Sequence, residues 1–263
     1  MSKIDPTARV EDGAVIGEGT EIGPFCIIGR NARIGANCKL IGQVTVIGHT
    51  SVGDACVISP FAVLGGAPQD LSYKGEPTTL DIGSGCTIRE GATMNVGTVK
   101  GGGHTRVGND GYFMNNSHVG HDCVVGSNAI FASSATLGGH CEIGDAVYIG
   151  GLSAVHQFTR IGSYVMVGGL SGVRDDIIPY GLANGQYAVL ESLNLIGMKR
   201  RQFTRQRLAA VRAFYQKLFL GPGTFAERLE AVRPLESEDP AIAEILGFIG
   251  KGKRPLCLPT IEK

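Results

Sequence analysis

Four of the six histidines, His118, His121, His140 and His156, lie close together in the middle of the chain, with Asp122 and Gln157 directly after two of them. A neutral imidazole, with an ordinary pKa of ~6.5, takes a proton from a hydroxyl at physiological pH. General-base help of that kind contributes ~10²–10⁴-fold to a rate. No serine or cysteine stands in a nucleophile-elbow pattern, so direct transfer of an acyl group from a thioester to a hydroxyl fits better than a covalent acyl-enzyme. Residues 18 apart are expected to stack on one another, for the reason given next. Asp122 then lies under His140, Gly120 under Gly138 and His156, and His121 under Gly139 and Gln157. The polar residues gather along one edge, and Gly139 is placed to offer a backbone N–H to an oxyanion.

The element that must position them is a repeat of six. Stepping by six from Val10 gives ten aliphatic residues, ending at Leu64. Ile82, Ile88 and Met94 form a second run, and a third runs from Val107 to Val173 with two phenylalanines among its aliphatics. Neither helical spacing nor strict alternation gives this pattern. A period of six marks a β-helix in which each hexad makes one strand and one corner, and three hexads close a coil. The 25 hexads predict about eight coils and, at ~4.8 Å per coil, a prism roughly 40 Å long. Glycine often follows the core aliphatic, as at Gly17 and Gly126, and is expected there for its tolerance of corner backbone. Two segments break the period, about 65–81 and 95–106, and are expected to be loops carrying function.

After about residue 186 the period stops. TRQRLAAVRAFYQKLFL reads as an amphipathic helix halted by Gly221 and Pro222. Thr224 with Glu227 makes a capping box, and Asp239 with Pro240 starts a last helix. The expected organisation is therefore a β-helix over 1–185 and a helical domain over 186–263.

The charged fraction of 18% and apolar fraction of 43% suit a folded chain and exclude disorder. No apolar run approaches the ~18 residues of a membrane span and no signal-peptide pattern opens the chain, so a cytoplasmic protein with no integral membrane segment is expected. Net charge is zero but unevenly placed: residues 1–185 carry −5 and residues 186–263 carry +5. Lys199 to Lys217 holds seven bases and no acid, which suggests an anionic partner. Six of the seven cysteines, Cys26, Cys38, Cys56, Cys86, Cys123 and Cys141, fall four residues after a core aliphatic. That makes them packed core thiols, and no CxxC pair supports zinc.

The segments GGAPQDLSYKGE, NNSHVGHDCVVG, GGLSAVHQF, VMVGGLSGV and GMKRR resemble the UDP-N-acetylglucosamine acyltransferases of lipid A biosynthesis, within the hexapeptide-repeat acyltransferases. The resemblance spans essentially the whole chain. It implies an all-β left-handed parallel β-helix followed by a small α-helical C-terminal domain, assembled as a homotrimer with sites between neighbouring prisms. It implies transfer of an R-3-hydroxyacyl chain from acyl carrier protein to the 3-position of a UDP-linked glucosamine, with no cofactor, no metal and no nucleic acid. His121 would be the general base, Asp122 its orienting partner and Gly139 the oxyanion donor. Gln69, Asp70, His118, His140, His156 and Gln157 would contact the sugar or the acyl chain. Asn194, Arg200 and Arg201 would serve the nucleotide end, and Gly169 would set acyl length. Ser72 stands where many members carry lysine, and Ile196 where many carry glutamate. The same reaction on a 3-amino sugar, another hexapeptide-repeat acyltransferase, a γ-type carbonic anhydrase and a β-helix without activity are the competing readings.

Overall fold

The computed structural model describes residues 2–260, so the expected outer domain ends at residue 1 and at 261–263 lie outside the described residues. Most hexads yield a two-residue strand whose first side chain faces out and whose second faces in, as in Glu21–Ile22, Lys39–Leu40 and Val57–Ile58. The inward residues Ile28, Leu40, Val46, Ile58 and Leu64 are at most 1% exposed. As far as Ala154–Val155, each strand pairs in parallel with the third strand onward. In the regular coils that partner is 18 residues away, as in Lys39 with Val57 and Ile130 with Tyr148. The result is a left-handed parallel β-helix with three faces of eleven, nine and eight strands. The strand Lys3–Ile4 adds a hexad before Val10, though Ile4 is still 44% exposed at the open end.

The corners are built differently from the sequence expectation. Gly17 and Gly126 do not take the left-handed backbone. A Cβ on Gly17 would collide with the Gly35–Ala36 backbone, and one on Gly126 would lie 2.5 Å from Asp145 Oδ1. Glycine is needed there because coils touch, backbone on backbone. The left-handed residue comes two positions later and is mostly not glycine: Asn116, Asp122, Asn128, Ser134, His140 and Leu152 all have φ between 57° and 60°. Such residues carry a strain of about 1 kcal/mol or more, offset by coil-on-coil hydrogen bonds such as Asn128 N–H to Asn109 O at 2.8 Å.

The cysteine column is part of the interior. All six repeat cysteines are 0–1% exposed. Cys38, Cys86 and Cys123 turn their thiols to carbonyls of the next coil, at 3.1–3.3 Å from Gly53, Gly108 and Gly138. Thr20 and Ser153 use the same slot in the same way.

Both off-period segments are shorter loops than expected. Strands Val63–Gly66 and Thr79–Ile82 take the ends of the first, leaving 67–78. Strands Thr93–Asn95 and His104–Val107 take the ends of the second, leaving 96–103. Thr79–Ile82 pairs over four residues with both His49–Val52 and His104–Val107, and this longer pairing absorbs the extra chain. Each loop joins the nine-strand face to the eight-strand face. Both therefore leave from the same corner of the prism as residues 120–122.

Strands continue beyond the last hexad. Gly181–Asn184 extends the eleven-strand face in parallel, and Val189–Leu193 folds back on it antiparallel. The first helix, α1, begins only at Leu195 and runs to Arg200. Helix α2 spans Arg205–Tyr215 and continues as a π-helical turn to Leu220, where Gly221 stops it. Helix α3, Phe225–Val232, has the Thr224–Glu227 capping box, and α4, Pro240–Gly250, is capped by Asp239. The chain then returns to the prism: Cys257 N–H donates to Asp176 O at 2.8 Å, and buried Asp176 pairs with Arg160 at 2.8 Å.

Candidate active site

Three successive coils place residues 120–122, 138–140 and 156–158 over one another at the corner between the nine-strand and eight-strand faces. The stacking is direct: His140 N–H donates to His121 O at 2.9 Å and Phe158 N–H to Gly139 O at 3.0 Å. Neighbours on a regular strand point to opposite faces. Here Asp122 has φ 59°, so its side chain turns back toward that of His121, and Asp122 Oδ2 accepts from His121 Nδ1 at 2.8 Å.

The Asp122 carboxylate is enclosed. Its side chain is 0% exposed. Oδ1 accepts the Thr98 backbone N–H at 2.7 Å, and Oδ2 accepts the Thr98 hydroxyl at 2.7 Å in addition to His121. With three donors upon it, the carboxylate acts only as an acceptor. Nδ1 of His121 then carries the proton, and Nε2 keeps a lone pair toward the cleft. A Cβ on Gly139 would lie 2.5–3.0 Å from three atoms of the His121 ring. Any side chain there would displace the imidazole. Among the described residues no acceptor takes the Gly139 amide hydrogen.

His140 stacks flat on Phe158, with centroids 4.4 Å apart and planes 7° from parallel, and meets His121 edge-on. Burial holds the His140 imidazole below its ordinary range, although Asp122 at 3.8 Å pulls the other way. His118 sits on the nine-strand face, its Nδ1 2.7 Å from the Thr93 hydroxyl, and burial lowers its pKa too. The two off-period loops reach over this corner. Gln69 and Asp70 from the first and Thr98 and Lys100 from the second join His121, His140 and Gln157 around a cleft of about 580 Å³. The Ser72 N–H, 2.7 Å from Asp70 Oδ1, holds the half-buried Asp70 carboxyl below the usual range. A larger groove of about 950 Å³ starts at His140 and Phe158 and follows the eight-strand face to α4.

Of the remaining expected residues, all but His156 lie elsewhere on the protomer. His156 is exposed at the same corner, its Nδ1 3.0 Å from Gln157 O. Gly169 is exposed at the corner between the eleven-strand and nine-strand faces. Asn194, Arg200 and Arg201 collect at the third corner. There Asn194 caps α1 and donates to Tyr164 O at 3.0 Å, and the Arg201 guanidinium lies 3.9 Å over the Tyr164 ring. A single chain therefore brings together the His121 group but not Gly169 or the Asn194–Arg201 group. Thr98, Lys100 and Phe158 were not singled out from the sequence. For Phe158 a signal existed in the column 122–140–158. Thr98 and Lys100 lie in a segment without period, where no spacing predicts a contact.

The ligand atoms of His121, Asp122 and His140 lie within 4.8 Å of one another, near enough to hold a metal ion. Both oxygens of that carboxylate already accept from Thr98, however, and the arrangement as it stands is an imidazole oriented by a carboxylate.

Comparison with known proteins gives a consistent result. Residues 176–257 match the family model described as UDP-N-acetylglucosamine O-acyltransferase, domain 2. The acyl-[acyl-carrier-protein]–UDP-N-acetylglucosamine O-acyltransferase of Azorhizobium caulinodans is 54% identical over 98% of this chain and 95% of its own length. A crystal structure of UDP-N-acetylglucosamine acyltransferase superposes with a TM-score of 0.94 at 40% identity, covering 98% of this chain and all of the other. The acyltransferase of the same description from Campylobacter jejuni gives 0.92 at 36% identity, covering 97% and 99% of the two chains.

Proposed function

The chain belongs to the acyl-[acyl-carrier-protein]–UDP-N-acetylglucosamine O-acyltransferases, and from that premise we propose a mechanism in which His121 moves the proton and the acyl group passes directly between substrates. The acceptor is the 3-hydroxyl of UDP-N-acetylglucosamine, and the donor is an R-3-hydroxyacyl thioester of acyl carrier protein. His121 Nε2 takes the hydroxyl proton as the oxygen attacks the thioester carbonyl carbon. The Gly139 N–H receives the oxyanion of the tetrahedral intermediate. Collapse breaks the C–S bond, and the imidazolium gives its proton to the leaving carrier thiolate, which departs as the thiol. Asp122 holds the ring in the productive tautomer throughout. The observation that carries this reading is the His121–Asp122 pair, 2.8 Å apart, with the His121 ring lining the cleft and Gly139, whose amide hydrogen no described residue takes, directly against that ring. Gln69, Asp70, His118, His140, His156 and Gln157 are proposed to line the path of the sugar and the acyl chain.

The working unit is proposed to be a homotrimer. Support comes from the three separate corners: Gly169, Asn194, Arg200 and Arg201 can serve the His121 site only if a neighbouring prism presents one of its other corners to it. Sedimentation should give three chains per particle, and an active monomer would sink the proposal. A cytoplasmic location completes the proposal; no helix among the described residues is long and apolar enough to cross a membrane. The direct test is a transfer assay with carrier thioesters of graded length and with UDP-N-acetylglucosamine beside its 3-amino analogue. Ester formation on the hydroxyl sugar is expected, and a preference for the amine would overturn the acceptor assignment.

The basic segment is proposed to receive the acidic carrier. Its seven bases are not equivalent. Arg207 makes a two-pronged contact with Asp239, at 2.7 and 2.9 Å, and so ties α2 to the cap of α4. Arg205 and Arg212 are exposed and have no part in the acceptor site. Reversing both to glutamate should raise the KM for acylated carrier by roughly tenfold while leaving kcat near wild type, and added salt should weaken the wild type in the same direction. A KM insensitive to both charge and salt would assign the segment another role.

A further inference from the structure

We infer that Thr98 is a positioning residue of the catalytic base, acting through Asp122. This rests on the role proposed above for the His121–Asp122 pair.

Thr98 belongs to the 96–103 loop, while His121 and Asp122 belong to the regular coil one turn further on. It is 4% exposed. Its hydroxyl and its backbone N–H each donate to Asp122, one to each carboxylate oxygen, both at 2.7 Å. The hydroxyl in turn accepts the Gly101 N–H at 3.1 Å, which fixes its rotor so that its own hydrogen points at Asp122. Thr98 is also the N-cap of the short 3-10 turn Val99–Gly101, so the loop is ordered by the same side chain that binds the carboxylate. Gly101 lies against the carboxylate so closely that a Cβ there would overlap its oxygens. From below, Asp122 N–H donates to the Thr105 hydroxyl at 2.8 Å. The carboxylate is thus held on both oxygens by Thr98 and walled on one side by Gly101, its backbone is pinned by Thr105, and Oδ2 also takes His121 Nδ1.

The consequence is chemical. Asp122 sits on a left-handed corner residue, where a short side chain has more than one way to bond locally. Two donors from Thr98 leave one orientation. A carboxylate held by both oxygens transmits its position to the imidazole, and an imidazole out of line by an ångström loses much of its value as a base. The hydroxyl of Thr98 therefore affects the chemical step while touching no substrate.

The test is a double-mutant cycle with Ser rescue. Thr98→Val keeps the backbone donor and the shape but removes the hydroxyl. It is expected to lower kcat by 10- to 50-fold with KM for both substrates within twofold, and Thr98→Ser should recover kcat to within threefold of wild type. Asp122→Asn alone should be strongly impaired, and adding Thr98→Val to it should cost less than a further threefold, because the hydroxyl then has no carboxylate to hold. If Asp122→Asn is impaired and Thr98→Val lowers kcat by its full factor in that background too, Thr98 acts by another route and the inference fails while the base assignment stands. If Asp122→Asn is as active as wild type, the pair is not the catalytic unit and both fail. Thr98→Ser behaving like Thr98→Val would equally overturn the inference, since shape rather than the hydroxyl would then matter. Should Thr98→Val not fold, Thr98→Ala, alone and combined with Asp122→Asn, decides the same question by the same comparisons.

Discussion

Replacing His121 by alanine is expected to lower kcat by ~10²-fold or more, with KM for the sugar nucleotide and the assembled particle unchanged. The reasoning is geometric. His121 Nε2 is the free ring nitrogen at the cleft once Nδ1 is committed to Asp122 at 2.8 Å. His140, the nearest other imidazole, meets Asp122 only at 3.8 Å and is stacked flat on Phe158, so it is not oriented to substitute. His118 is turned to Thr93 on the nine-strand face. A variant retaining more than about a tenth of the wild-type rate would remove His121 from the mechanism. Initial rates at saturating donor and acceptor measure this directly.

The second large effect is expected in donor selectivity. Gly169 sits exposed on a corner with ordinary backbone, and a Cβ there would meet only Gly151, with the oxygen at 3.3 Å. A methionine side chain can therefore be built with little strain in the protomer, and it would project outward beside the exposed Leu152 and Leu170. Without a side chain at 169 the groove is open and should accept a long hydroxyacyl chain. Each methylene denied burial costs ~0.8 kcal/mol, so blocking two shifts the preference by roughly tenfold. Gly169→Met should thus favour shorter donors in a competition assay while leaving the rate on the preferred donor near wild type. Because Gly169 and His121 lie on different corners of one chain, this effect also requires the neighbouring prism. A methionine variant that keeps the long-chain preference would show that another residue sets the length.

Much of the architecture is written into the hexad. Each coil rests on the coils beside it, so a rule of six residues, repeated, specifies strand, corner and core without long-range information. The same arithmetic aligned Asp122 with His140 and His121 with Gly139, because stacking at 18 residues follows from three hexads per coil. The inward cysteines and the helix caps at Thr224 and Asp239 were legible for a similar reason: each depends on neighbours a few residues or one coil away. The corner glycines show the limit. Their presence was visible, but their cause is contact between backbones, which only the packed coils reveal.

What the tertiary structure decided lies where the period lapses. Nothing in the spacing of 96–103 says that Thr98 closes on Asp122, 24 residues on. That contact is set by the four-residue pairing of Thr79–Ile82 with His104–Val107 and by where the loop can go once the pairing is made. The resemblance likewise assigns Asn194, Arg200, Arg201 and Gly169 to a site between prisms without saying where on one chain they lie, and the fold puts them at two corners other than that of His121. Periodic sequence fixes what each residue stacks upon. The placement of aperiodic segments, and of one corner against another chain's, depends on surfaces that exist only after folding.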